Sequence, residues 1–246
     1  MDRLVFAAMT GARAALGQMA VTANNLANAS TPGFREQVAS FRAVPMGGEG
    51  ANTRAFTIDT TPGSSFLQGS VESTGNAFDI AIADRGFFTV RRPDGNEVYS
   101  RGGKLTVGAQ GQLLGAGGFP IVGDAGPITI PPNSRPEIAD DGTVTIFDGV
   151  SPQPQVIGRL KLVNPDPKLL SRAPDGLFES QVSLVSAAPG EVRIKQGFLE
   201  GSNVSVAASM VALVSQQRLF DLNIKMVQYA DTNARSANGI MSLSRG

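Results

Sequence analysis

Two rows of apolar residues with a seven-residue repeat, one at each end of the chain, constrain this sequence more than any other feature. Near the start, Val5, Met9, Ala12, Leu16, Met19, Ala23 and Leu26 step by alternating fours and threes. That is the spacing of a coiled-coil seam. Asp2 is placed to cap the segment and Pro32-Gly33 to stop it, which predicts a helix of about 25 residues, roughly 38 Å long. Near the end, Val206, Leu213, Phe220, Val227, Ala234 and Met241 lie seven apart and are all apolar. Met210, Gln217, Ile224, Asp231 and Asn238 interleave with them, so the second row turns polar toward the end. With Ser205 as N-cap, this predicts a helix of about 35 residues, roughly 53 Å long.

Neither helix is expected to stand alone. The C-terminal segment holds many weak helix formers, among them Ser209, Val214, Asn223, Thr232 and Ser236. Each disfavours an isolated helix by about 0.5 kcal/mol, whereas burying one apolar row residue returns about 1.5–3 kcal/mol. A partner surface is therefore required. The remaining faces are rich in Ala, Ser, Thr, Asn and Gln, which can pack closely against further helices. Two ordinary core helices of one globule are the alternative reading. Their placement at opposite ends of the chain favours helices that pair with each other and then with neighbouring subunits.

Between about Gly75 and Gln196 the period drops to two. Phe78, Ile80 and Ile82 alternate, as do Phe88 and Val90, Leu105 and Val107, Ile128 and Ile130, and Leu160 and Leu162. Pro93-Asp94-Gly95-Asn96, Gly108-Ala109-Gln110-Gly111 and Asp140-Asp141-Gly142 supply turns. The expected fold is mainly β with long α-helical termini. The N- and C-terminal helices pair as a coiled coil around a central antiparallel all-β domain. In domain terms, 1–30 and 205–246 form a discontinuous helical coiled-coil domain, 31–74 an extended irregular linker, and 75–204 the β domain.

Composition narrows the function. The 246 residues contain no histidine, cysteine or tryptophan, and acidic and basic residues balance at 21 each. The usual ligands of zinc, copper, haem and iron–sulfur sites are missing, as are cysteine nucleophiles and the Ser–His–Asp triad. A net charge of zero argues against nucleic-acid binding and suits a chain that polymerises. No apolar stretch reaches about 18 residues, so no transmembrane segment is expected. The opening residues continue as helix, so a cleavable signal peptide is not expected either. Gly115-Ala116-Gly117-Gly118 begins like a dinucleotide-binding loop but runs into Phe119-Pro120, so it reads as a turn. Asp140-Asp141 before Gly142 reads as a hairpin turn in preference to a cation site. No catalytic residue, metal or cofactor is assigned.

The segment Ala23-Asn24-Asn25-Leu26-Ala27-Asn28-Ala29-Ser30-Thr31-Pro32-Gly33-Phe34 closely resembles the N-terminal signature of the flagellar rod and hook axial proteins. The resemblance continues through Arg101-Gly102-Gly103-Lys104-Leu105, Gly111-Gln112-Leu113 and Gly118-Phe119-Pro120-Ile121-Val122-Gly123. It extends to a second signature at Gln196-Gly197-Phe198-Leu199-Glu200-Gly201-Ser202-Asn203-Val204, and to Gln217-Arg218-Leu219-Phe220-Asp221-Leu222-Asn223 in the final helix. Within that family, the opening residues and Phe41-Arg42-Ala43-Val44-Pro45 are most similar to the proximal-rod branch, with the distal-rod branch next.

The resemblance implies a structural subunit of the basal-body rod and no enzyme. Such a subunit is exported by the flagellar type III apparatus and polymerises in the periplasm into a helical shaft that transmits torque. Implied partners are proximal and distal rod subunits, further copies of itself and the export apparatus. A secreted β-rich adhesin or hydrolase is the reading from a different class. The expected assembly interface comprises Val5, Met9, Leu16, Met19, Leu26, Asn24, Asn25 and Asn28 on the N-terminal side. On the C-terminal side it comprises Met210, Leu213, Phe220, Ile224 and Val227.

Overall fold

A computed structural model describes residues 2–45, 55–132, 134–147 and 153–243. It contains two long helices, α1 (Asp2–Ala27) and α2 (Val206–Leu243), and many short antiparallel strands between them. The chain divides into two compact units. One gathers α1, α2 and residues 37–65; the other gathers residues 28–36 and 66–204.

In the first unit the helices carry a hairpin of β1 (Gln37–Pro45) and β2 (Ala55–Ser64), paired antiparallel from Gln37 opposite Ser64 to Pro45 opposite Ala55. This corrects the expectation that 31–74 is an irregular linker. The pairing register shifts between Val38 and Ser40. A bulge of that kind changes which face successive residues take, so the period of two is broken within the strand that would otherwise reveal it. The helix boundaries follow local chemistry. Ser205 Oγ accepts from Ala208 N at 3.4 Å, as an N-cap does, and the Ser205 carbonyl accepts from Ser209 N at 2.9 Å.

The second unit is built on a five-stranded sheet with the order 162–163, 87–91, 97–100, 178–180, 170–172. A three-stranded sheet of residues 135–138, 143–147 and 155–159 and several two-stranded pairs complete it, together with two short 3-10 turns at Ala116–Gly118 and Pro167–Leu169. The alternation read from sequence identifies much of its core: Ile80, Ile82, Phe88, Val90, Leu105, Ile128, Ile130, Leu160 and Leu162 are all buried. Phe78 is half-buried against that core, and Val107 lies exposed in a two-residue strand.

The strand Phe87–Arg91 is covered on both faces, because Phe87 joins Tyr99, Val163 and Phe178 in a second cluster. Its phenyl ring meets that of Phe178 at 5.6 Å and that of Phe66 at 6.1 Å, both edge-on. Gly95 and Gly142, with φ of +87° and +88°, sit in the turns read from sequence. Asp141 Oδ1 and Oδ2 accept from the Thr143 N–H and hydroxyl, both at 2.9 Å, so both oxygens serve the turn. These hydrogen bonds, the backbone one first, hold the Asp141 carboxyl below the usual carboxylate range.

Candidate assembly interface

Within the first unit, α1 and α2 pack against each other. Gln216 Nε2 donates to Thr22 Oγ1 at 3.0 Å, while a Cβ added at Gly11 would stand 2.7 Å from Asn223 Oδ1. Thr22 meets Gln216 and Gly11 meets Asn223, so residue numbers rise along one helix as they fall along the other and the pair is antiparallel.

The covered face of α1 runs through Val5, Ala8, Ala12, Ala15, Met19, Thr22 and Leu26, in which Ala8, Ala12 and Ala15 are buried and the others half-buried. The covered face of α2 runs through Ser209, Leu213, Gln216, Phe220, Asn223, Val227, Ala230 and Ala234, in which Ser209 and Ala230 are buried. Both faces step by threes and fours. On each helix one row coincides with a row read from sequence: Val5, Ala12, Met19, Leu26 and Leu213, Phe220, Val227, Ala234. The second row lies one residue before the expected one on both helices. Small or polar side chains occupy it, so the backbones can approach closely.

The residues expected in that second row consequently lie outside the packed face. Met9 is 58 % exposed, Leu16 49 %, Met210 54 % and Ile224 37 %. Phe6, Val211, Val214, Leu222 and Tyr229 are exposed as well, so α2 shows apolar side chains around much of its circumference. A helix apolar on several faces is suited to burial among others.

The signature asparagines separate by role. Asn25 is buried and clamps the start of β1: its Nδ2 donates to Gln37 O, and its Oδ1 accepts from Gln37 N, both at 2.8 Å. Asn24 is exposed. In the second unit, half-buried Asn28 receives Thr31 N on its carbonyl at 3.1 Å and the Thr31 hydroxyl on its Oδ1 at 3.2 Å. These bonds shape the turn before Pro32-Gly33.

The second unit also holds a charged knot that sequence reading missed. Glu200 is fully buried, and Arg101 reaches its Oε2 through Nε at 2.8 Å and Nη2 at 2.6 Å. Arg35 Nη1 lies 2.6 Å from Oε1, an ion pair poorly aligned for hydrogen bonding, and Gly69 N donates to the same oxygen at 3.1 Å. Arg101 Nη1 donates further to the carbonyls of Asp84 and Gly86, each at 2.8 Å. Burial pulls the Arg101 guanidinium below its ordinary pKa, and the charge of Glu200 opposes that shift.

The backbone repeats the connection, since Gly33 N donates to Glu200 O at 2.8 Å. Gly33 has φ +70°, and a Cβ there would lie 2.2 Å from Gly102 N, so only glycine fits this crossing. Arg172 Nη1 donates to Arg35 O at 2.5 Å, and its guanidinium stacks on Phe34, 4.3 Å from the ring centre. Asn203 Oδ1 accepts from Glu36 N at 2.7 Å, and its Nδ2 donates to Leu67 O at 2.9 Å. The end of the first signature and the second signature, remote along the chain, thus meet side by side in one unit. A signal was present: isolated charges at 35, 101 and 200 lie within or beside glycine-rich motifs of a chain poor in charge.

Among the described residues no helix is long and apolar enough to cross a membrane. Residues 7–35 match the family model described as flagella basal body rod protein. Residues 81–146 match the flagellar hook protein FlgE/F/G D1 domain, and 195–240 the C-terminal part of the flagellar basal body rod FlgEFG proteins. The chain is 39 % identical to the flagellar basal-body rod protein FlgF of Salmonella typhimurium, over 99 % of this chain and all of the relative. It matches FlgF of Escherichia coli at the same identity and coverage. The flagellar basal-body rod protein FlgG of Buchnera aphidicola from Schizaphis graminum is 34 % identical, over 90 % of this chain and 93 % of the relative. Similarity along the whole length, carried by both signatures and the body between them, establishes that this chain belongs to the flagellar basal-body rod protein family, a family of structural subunits and not of enzymes.

Proposed function

We propose that this rod subunit is a proximal-rod component of the FlgF kind. It crosses to the periplasm through the flagellar type III apparatus and polymerises with itself and neighbouring rod proteins into a helical, torque-transmitting shaft. Within each copy, α1 and α2 pair as an antiparallel coiled coil. Between copies, the exposed residues Met9, Leu16, Met210 and Ile224 meet helices of neighbouring subunits. The exposure of these large side chains beside a packed face of small ones carries the reading. Val5, Met19, Leu26, Leu213, Phe220 and Val227 then act within the pair, and Asn24, Asn25 and Asn28 shape the α1 end of the interface.

Contacts between successive copies must be heterologous, because only such contacts propagate a helix. Full-length similarity to two FlgF proteins favours the proximal rod. A distal-rod role is the second reading, supported by the FlgG relatives. Complementation separates the two. We expect this chain, expressed in Escherichia coli, to restore swimming to a strain lacking FlgF and not to one lacking FlgG. Rescue of only the latter would reverse the assignment. Met9→Asp with Met210→Asp should abolish swimming while leaving the purified chain folded.

A further inference from the structure

Beyond Ser209 in its first turn, two polar side chains, Gln216 and Asn223, interrupt the packed face of α2. Gln216 Nε2 is held by Thr22 Oγ1 at 3.0 Å, and the Thr22 hydroxyl in turn donates to Gln18 O at 2.9 Å. Gln216 Oε1 is buried with no hydrogen-bond partner. Asn223 ties its Nδ2 to Leu219 O at 2.8 Å on its own helix and rests its Oδ1 in the notch left by Gly11. A leucine at 216 would avoid an orphaned amide oxygen, so this arrangement costs stability.

We propose that the Thr22–Gln216 pair and the Gly11–Asn223 notch determine the register of the α1–α2 pair. The apolar rows cannot do so alone. Val5, Ala12, Met19 and Leu26 repeat every seven residues, as do Leu213, Phe220, Val227 and Ala234. Sliding α2 by one repeat, about 10 Å, therefore keeps apolar rows facing each other. The polar positions do not tolerate that slip. Gln216 would face Ala15, or Ala29 beyond the end of α1, and lose its hydroxyl partner. Asn223 would face Leu4 or Gln18 in place of Gly11, where a side chain fills the notch. One polar residue at a seam position is a well-attested device for fixing register at a cost in stability. On the reading that Met9 and Leu16 join Met210 and Ile224 in one intersubunit surface, a slip would also displace its two halves by about 10 Å.

The chain has no cysteine, so spin labels can be placed singly on each helix. Arg13→Cys and Arg218→Cys lie at exposed positions of α1 and α2. With both labelled in the purified full-length chain, double electron–electron resonance should give one narrow distance. Adding Gln216→Leu and Asn223→Leu should split or broaden it, with a second population shifted by up to about 10 Å. The denaturation midpoint should hold or rise. Exchanging the polar partners, Thr22→Gln with Gln216→Thr, should keep the single distance. A single narrow distance in the double leucine variant overturns the proposal, as does a multiple distribution in the starting protein. If the leucine variant does not fold, the exchanged variant decides: one distance supports the proposal and several overturn it.

Discussion

Arg101 grips Glu200 through two nitrogens, Nε at 2.8 Å and Nη2 at 2.6 Å, and both side chains are almost completely withdrawn from solvent. With Arg35 on the other carboxylate oxygen, this contact joins the segment after α1 to the segment before α2 inside one compact unit. Glu200→Gln should therefore destabilise that unit by about 3–5 kcal/mol, because two buried guanidinium groups lose their counter-charge. Replacing all three by apolar residues of similar size (Arg35→Met, Arg101→Met, Glu200→Leu) should cost less than the single change. Urea denaturation of the purified proteins measures both; a near-neutral Glu200→Gln would show that the knot is not held by charge pairing.

Asn25 clamps Gln37 by both of its backbone groups. Asn25→Ala should cost about 1–3 kcal/mol of local stability, the cost of leaving buried partners unsatisfied. Amide exchange at Gln37 should accelerate while exchange in the strand 87–91 stays unchanged. Acceleration in both would mean that the change unfolds the whole chain and not the hairpin.

Gly11 and Asn223 should show a coupled response. Gly11→Ala ordinarily gains about 0.5–1 kcal/mol within a helix. Here the added methyl meets Asn223 Oδ1 at 2.7 Å, which should cancel that gain. In an Asn223→Ala background the gain should reappear. Equal effects in the two backgrounds, measured by thermal denaturation, would contradict the packing described.

Asp141 supplies a pH dependence with a definite sign. Its folded-state pKa lies below the unfolded value of about 3.9, chiefly through the Thr143 backbone N–H. The resulting stability is present above that value and lost as pH falls through the folded pKa. Asp141→Asn should therefore be less stable than the parent at pH 6 and more nearly equal to it near pH 3. A constant difference across that range would exclude the carboxylate as its source.

The sequence revealed the helices and much of the β core because each carries a sustained period: seven at the ends, two at Ile80, Ile82, Phe88 and Val90. It revealed half of the packed helix face. Val5 and Met19 on α1, and Leu213 and Phe220 on α2, are legible as one row of each helix; the same spacing places Met9, Leu16, Met210 and Ile224 in the second row, one position beyond the residues that pack. In a close antiparallel pair, Ala8 and Ala15 fit where Met9 and Leu16 do not, and large apolar residues one position along are left at the surface. The β1–β2 hairpin was hidden by its bulge. The knot was hidden because Arg35, Arg101 and Glu200 meet through chain crossings that no local period records.

In the proposed assembly Met9 faces a neighbouring subunit, while Ala12, three residues on, belongs to the buried face of α1. Single cysteines at these sites, Met9→Cys and Ala12→Cys, in this cysteine-free chain make the distinction measurable by alkylation in the free subunit and in isolated basal bodies. We predict rapid modification of Met9→Cys in the free subunit and strong protection in the rod, with Ala12→Cys slow in both. Equal reactivity of Met9→Cys in the two states would contradict the assignment of the exposed row to assembly.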